Sequence, residues 1–173
     1  SSRGFLHFLL KQNDLAQEDY EKALLLEPKN NSFLEKQARL FLSKGESEKA
    51  LHCLNQVINI SQSNHQSTFL RAIVHKICQS DELFVQDMSK ALKDIEQQMG
   101  QQIWNPRLPF YYAIYQFIAG NRERAIYLLD TNLKNKPSTY LIKEITHFLE
   151  ELKCVFAKDP TNSTGLSDLM DFI

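Results

Sequence analysis

His75 and Cys78 stand three residues apart, a spacing that lets two side chains share a helical face, and imidazole and thiolate both bind zinc. A metal site needs three or four ligands. No further sulfur or carboxylate completes the set at metal-site spacing, and His7, His52, His65 and His147 are scattered. No metal and no other cofactor is expected, and His75 reads as a packing residue. A second recurrence pairs Arg3 with Asp19 and Arg71 with Asp87, each sixteen residues apart. In a helical hairpin that separation sets a guanidinium beside a carboxylate on the returning helix, which is the chemistry of a structural ion pair. Glycine-rich phosphate loops, HExxH, GxSxG and calcium-loop patterns are all missing from the sequence, so the chain is not expected to be an enzyme. Asn162-Ser163-Thr164 matches the glycosylation pattern, which matters only in a secreted chain.

Composition sets outer limits. The 173 residues are 43% hydrophobic, enough to bury a sizeable core in one domain or one array. Twenty basic and 21 acidic side chains in mixed order give a net charge of -1, without the basic excess that nucleic acid attracts, so no nucleic-acid partner is expected. The three cysteines, Cys53, Cys78 and Cys154, form no CxxC pair and read as reduced thiols, which points to the cytoplasm. No apolar run approaches the ~20 residues that span a bilayer, so no membrane insertion is expected. The first residues, SSRGFLHFLL, lack a methionine and lie within an apolar helical pattern, which suggests a piece of a longer chain.

The side chains above must be positioned by helices. From Phe110 to Pro137 the sequence reads as two short helices around Gly120-Asn121, with Lys136-Pro137 ending the second because proline offers no N–H. Helices this short need a neighbour for the apolar face, so more copies of the unit are expected. Ala16 and Ala50 are 34 residues apart; Ala23, Val57 and Ala91 keep that interval, as do Gly4, Ala38 and Ala72. Gly45 to Gly120 and Pro28 to Pro137 are whole intervals plus 7, which one insertion at Met99–Asn105 explains. Turns are expected near Asn13, Gly45, Ser80 and Gly120.

This register resembles the tetratricopeptide repeat family, whose unit is a helix–turn–helix of 34 residues. The units fall at 1–30, 31–64, 65–98 and 106–139. The family's small residue on the first helix is matched by Gly4, Ala38, Ala72 and Ala113. Its alanine on the second is matched by Ala16, Ala50 and Ala125, with Phe84 in the third unit. The aromatic slot holds His7, Phe41, His75 and Gln116, and the large residue a turn after the alanine is Tyr20, Leu54, Met88 and Leu129. The tryptophan slot holds Leu34, Thr68 and Pro109, and Gln62 and Glu96 replace the closing proline, so the third unit's second helix is expected to run on towards Met99. The resemblance implies an all-α, right-handed α-α superhelix of four hairpins.

Residues 140–157 form an amphipathic helix with apolar Leu141, Ile145, Phe148, Leu149 and Leu152, and read as the cap that ends the array over 1–157. Residues 158–173 read as a linker, KDPTNSTG, followed by an apolar and acidic tail, LSDLMDFI, either disordered or docked on an apolar surface of its own chain or a second copy.

Such an array is expected to act as a protein–protein interaction scaffold or adaptor, gripping a peptide or helical segment in its concave groove. The groove candidates are Glu35, Arg39, Phe69, Ile73, Lys76, Arg107, Phe110, Ile114 and Phe117. The rival for the apolar members is interior packing. Co-chaperone members of the family hold a terminal carboxylate with lysine and asparagine, but the matching slots hold Gln66, Leu70, Arg107 and Tyr111, with Lys36 in place of asparagine. Peptide-tail binding of that type, and a non-catalytic targeting arm of a larger enzyme, are the alternatives.

Overall fold

A computed structural model describes residues 2–10, 12–61, 64–101, 105–157 and 160–173, and among them all regular structure is helical. Two compact units divide the chain, Ser1–Asp87 and Met88–Ile173. The first contains α1 (Ser2–Leu9), α2 (Asn13–Leu26), α3 (Asn31–Ser43), α4 (Ser47–Ile60) and α5 (His65–Ile77). The helix α6 (Asp81–Met99) begins in the first unit and ends in the second. The second unit continues with α7 (Leu108–Ile118), α8 (Arg122–Lys134), α9 (Thr139–Val155) and α10 (Pro160–Phe172). Sequence neighbours pack as hairpins: α1 on α2, α3 on α4, α7 on α8 and α9 on α10.

The turns after α1, α3, α5 and α7 share one backbone closure. The N–H of Gln12, Glu46, Ser80 and Asn121 donates to the carbonyl of His7, Phe41, His75 and Gln116 at 2.8–2.9 Å. Donor and acceptor are five residues apart, the closure that ends a helix through a left-handed residue. Gly45 and Gly120 supply that residue at φ 76° and 96°. In the third hairpin Gln79 takes the same slot at φ 57°, where a Cβ is strained. The first turn falls just ahead of Asn13, which opens α2.

Helix starts repeat as well. Asn30 and Asn64 accept from the N–H of Phe33 and Ser67 at 3.2 and 3.0 Å, filling one of the donors that a helix leaves open. Ser138 does the same for Leu141 at 3.2 Å. Helix ends follow proline where it is present: α2 stops before Pro28 and α8 before Pro137. With Glu96 in that slot α6 continues to Met99. The rest of the expected insertion includes residues 102–104, which lie outside the described residues, as does the Gln62 slot.

Small and large slots pack as the register requires. Gly4, Ala38, Ala72 and Ala113 are buried, as are Ala16, Ala50 and Ala125. A Cβ on Gly4 would lie 2.9 Å from Tyr20 Cε1, so only glycine lets α1 and α2 come this close. Tyr20, Leu54, Met88 and Leu129 fill the space these small residues leave.

The C-terminal stretch corrects the linker reading. Where residues 158–165 suggested a connector, the chain becomes helical at Pro160, and α10 pairs with α9. Proline suits the first turn of a helix, which needs no N–H donor there, and Gly165 lets α10 pack closely on Phe117 of α7. The tail is docked on its own chain: Leu166 and Leu169 are buried. Lys158 and Asp159 lie outside the described residues.

Candidate functional site

In the first unit the accessible candidates are polar. Glu35 and Arg39 sit one turn apart on α3, half-buried, with Arg39 Nε 3.7 Å from Glu35 Oε1. Ser67 Oγ, from the first turn of α5, donates to Glu35 Oε2 at 3.2 Å. Beside them Lys36 Nζ lies 5.6 Å from the centre of the Phe5 ring of α1, a cation over an aromatic face. Lys76 is half-exposed at the end of α5, 3.4 Å from Asp81 Oδ1 and 5.0 Å from the Phe84 ring centre.

The apolar candidates of this unit are placed differently. Phe69 and Ile73 are both 0% exposed, interior packing rather than a wet groove wall. Apolar residues on α5 occupy adjacent positions, Phe69-Leu70 and Ile73-Val74, and all four are buried. One stripe cannot hold adjacent residues, so the helix is enclosed on more than one side.

The sixteen-residue pairs form as the spacing predicts. Arg71 meets Asp87 through two bonds of 2.7 Å and also reaches Asn55 Oδ1 at 2.8 Å. His75 Nε2 lies 3.6 Å from Asp87, and burial lowers its pKa despite that carboxylate. Cys78 follows α5 as an exposed residue, and among the described residues no group of three or more His, Cys, Asp and Glu side chains could hold a metal. Arg3 bonds Asp19 through Nε at 2.7 Å and through Nη2, which holds the Asp19 carboxyl below its ordinary range. The same slot in the second hairpin is neutral. There the Cys53 thiol donates to Gln37 Oε1 at 3.6 Å, and burial pushes that thiol up to about 11.

In the second unit Arg107 caps α7 and bonds Glu144 on α9 at 2.8 Å, which raises the guanidinium's pKa further. Phe110, Ile114 and Phe117 are buried, as is the whole run from Phe110 to Ile118. Tyr111 packs edge-on against Phe148 of α9, with ring centres 5.2 Å apart. Leu70 and Tyr111 are both buried, so two of the slots that would grip a carboxylate in the co-chaperone pattern lie inside the protein.

Two features were not read from the sequence. Tyr112 donates to Glu96 and accepts from Arg124 Nη2 at 3.1 Å, tying α6, α7 and α8 together. The tyrosine's pKa is raised, first by burial and then by the Glu96 carboxylate. The second feature is the cover over Phe117. A Cβ on Gly165 of α10 would lie 2.7 Å from Phe117 Cζ and 3.4 Å from Arg122 Nη2, and the Arg122 guanidinium stands 5.4 Å from the centre of the Phe117 ring.

Among the described residues no helix is long and apolar enough to cross a membrane. The tetratricopeptide repeat family model matches residues 2–30. No curated protein matches the sequence. Solved structures do share the fold. TTC0263, a thermophilic tetratricopeptide repeat protein of Thermus thermophilus, superposes with a TM-score of 0.61 at 16% identity, over 98% of this chain and 94% of its own. BtubC from P. vanneervenii gives 0.55 at 15% identity over 97% and 75%, and MamA gives 0.50 at 11% over 98% and 91%. The first hairpin thus matches the tetratricopeptide repeat family model, and the chain shares its fold with solved tetratricopeptide repeat structures.

Proposed function

We propose that the chain is a protein–protein interaction scaffold that binds a peptide or helical segment of a partner along the first helices of its hairpins. What supports the reading most is the Glu35–Arg39 pair, held in place by Ser67 yet still open to solvent. Fixed charges of opposite sign on a rigid helix, with side chains 19% and 17% exposed, suit the recognition of a polar segment, with the pair exchanging partners across the interface. Lys36 and Phe5 add a cation and an aromatic face beside it. Lys76 and Arg107 extend the accessible set, each within its own unit. Within their own units, Phe69 and Ile73, and Phe110, Ile114 and Phe117, are buried. The proposal assigns no catalytic step to any residue.

The test is charge reversal in the full chain. Glu35→Arg and Arg39→Glu should each abolish capture of a partner that the parent retains, with unchanged helicity, and the double reversal should not restore it with the native partner. If both variants and Arg107→Glu hold the same partners as the parent with equal affinity, the proposal is wrong.

A further inference from the structure

The docked C-terminal helix has two properties that do not suit a permanent cap. Its sequence, PTNSTGLSDLMDF, is a poor helix: threonine, serine, asparagine, aspartate and glycine make up eight of thirteen positions. Each of these costs a few tenths to about 1 kcal/mol relative to alanine. No acid stands in its first turn and no base in its last, while Asp168 and Asp171 lie towards the C-terminal end, where the helix dipole repels them. Docking alone therefore holds α10 helical. Among the described residues of α10, Gly165, Leu166 and Leu169 are buried, whereas α9 buries Leu141, Ile145, Phe148, Leu149 and Leu152.

The surface beneath is specific in shape and charge. The Phe117 ring comes so close to Gly165 that no side chain fits there, and Arg122 flanks the contact with a positive charge. The occupant meets it with glycine at 165 and buried leucines at 166 and 169, and carries exposed acids at 168 and 171. We propose that α10 is a displaceable cover, and that the Phe117–Arg122 surface docks a helix of another protein carrying the same pattern: a glycine, leucines one and four positions on, and an acid at the third. The cis helix is then a resident competitor that lowers the partner's apparent affinity by the fraction of time the surface is covered. The inference extends the scaffold reading to a second surface, and its test touches none of Glu35, Arg39 or Arg107.

The probe is a fluorescently labelled peptide of residues 160–173, read by anisotropy against the full chain. Gly165→Leu should expel α10, because its side chain collides with Phe117, and binding of the peptide should tighten about tenfold or more over the parent. Adding Phe117→Ala to that variant should weaken the peptide again, and a peptide carrying Gly165→Leu should not bind. Should Gly165→Leu fail to fold, Leu169→Asp in the full chain uncovers the same surface and carries the same expectation. The proposal is overturned if a folded, α10-released variant binds the peptide no better than the parent. It is also overturned if the variant doubles its mass in solution by exchanging helices between copies, since the occupant is then a second chain.

Discussion

The second and third hairpins follow one another along the chain and answer the same structural demands with different chemistry. Where α3 and α4 use Gly45, α5 and α6 use Gln79. Where one joins its helices through Gln37 and Cys53, the other uses Arg71 and Asp87. Ala50 fills the small slot of one and Phe84 that of the other. The slots are thus geometric requirements, and side-chain chemistry is free within them as long as volume and hydrogen bonding are satisfied.

The contrast is largest at the small slot. Phe84→Ala restores the alanine seen in the other hairpins but leaves a void in a site packed around a ring, and should cost about 3 kcal/mol in chemical denaturation. A loss below about 0.5 kcal/mol would mean the site collapses onto alanine as α4 does, and that the two hairpins are interchangeable here.

Acid should separate them next. Burial pushes the His65 imidazole of α5 down to about 4, against about 6.5 when exposed, whereas the equivalent position on α3 is Asn31. Between those values the folded chain binds fewer protons than the unfolded one, so acid favours unfolding. The contribution is fully present above pH ~6.5 and is lost as pH falls towards 4, about 3 kcal/mol in all. His75, also lowered by burial, adds to it in the same direction. His65→Asn should flatten the fall in the denaturation midpoint over this range; an unchanged slope would assign it elsewhere.

Ala50→Leu overpacks the contact between α3 and α4 and should destabilise by roughly 1–3 kcal/mol, whereas Ala157→Leu, exposed beyond α9, should be nearly neutral. Equal midpoints for the two variants would remove the distinction between slot and surface. Smallest is the turn: Gln79→Gly should stabilise by about 0.5–1 kcal/mol through relief at positive φ, and Gly45→Gln should destabilise by a similar amount. A loss of stability in both variants would show that the two turns are built differently after all.

What could be read from the sequence followed from how each signal is encoded. The 34-residue register is visible because Ala38, Ala50, Gly45 and their counterparts occupy positions where volume or backbone angle leaves little choice. The sixteen-residue ion pairs follow from the same geometry. The terminal helix was hidden because proline, asparagine and glycine mark linkers by composition, while their use here depends on Phe117, some fifty residues away in sequence. The burial of the apolar groove candidates has another cause. In α7 the run FYYAIYQFI is apolar on nearly every side, so periodicity could not say which side faced water, and all of it is buried. The charged candidates keep contact with water because desolvating a charge is costly even within an ion pair.

The hydrogen bond that closes each of the first four hairpins runs from one backbone group to another. Its acceptors belong to a histidine, a phenylalanine, a second histidine and a glutamine, and the bond is the same length to within a tenth of an ångström at each. Mutation can therefore rewrite those side chains without touching the atoms that reverse the chain. Over evolutionary time such a joint leaves little trace in the letters of a sequence, which is one physical reason why proteins only 11–16% identical to this one keep its fold.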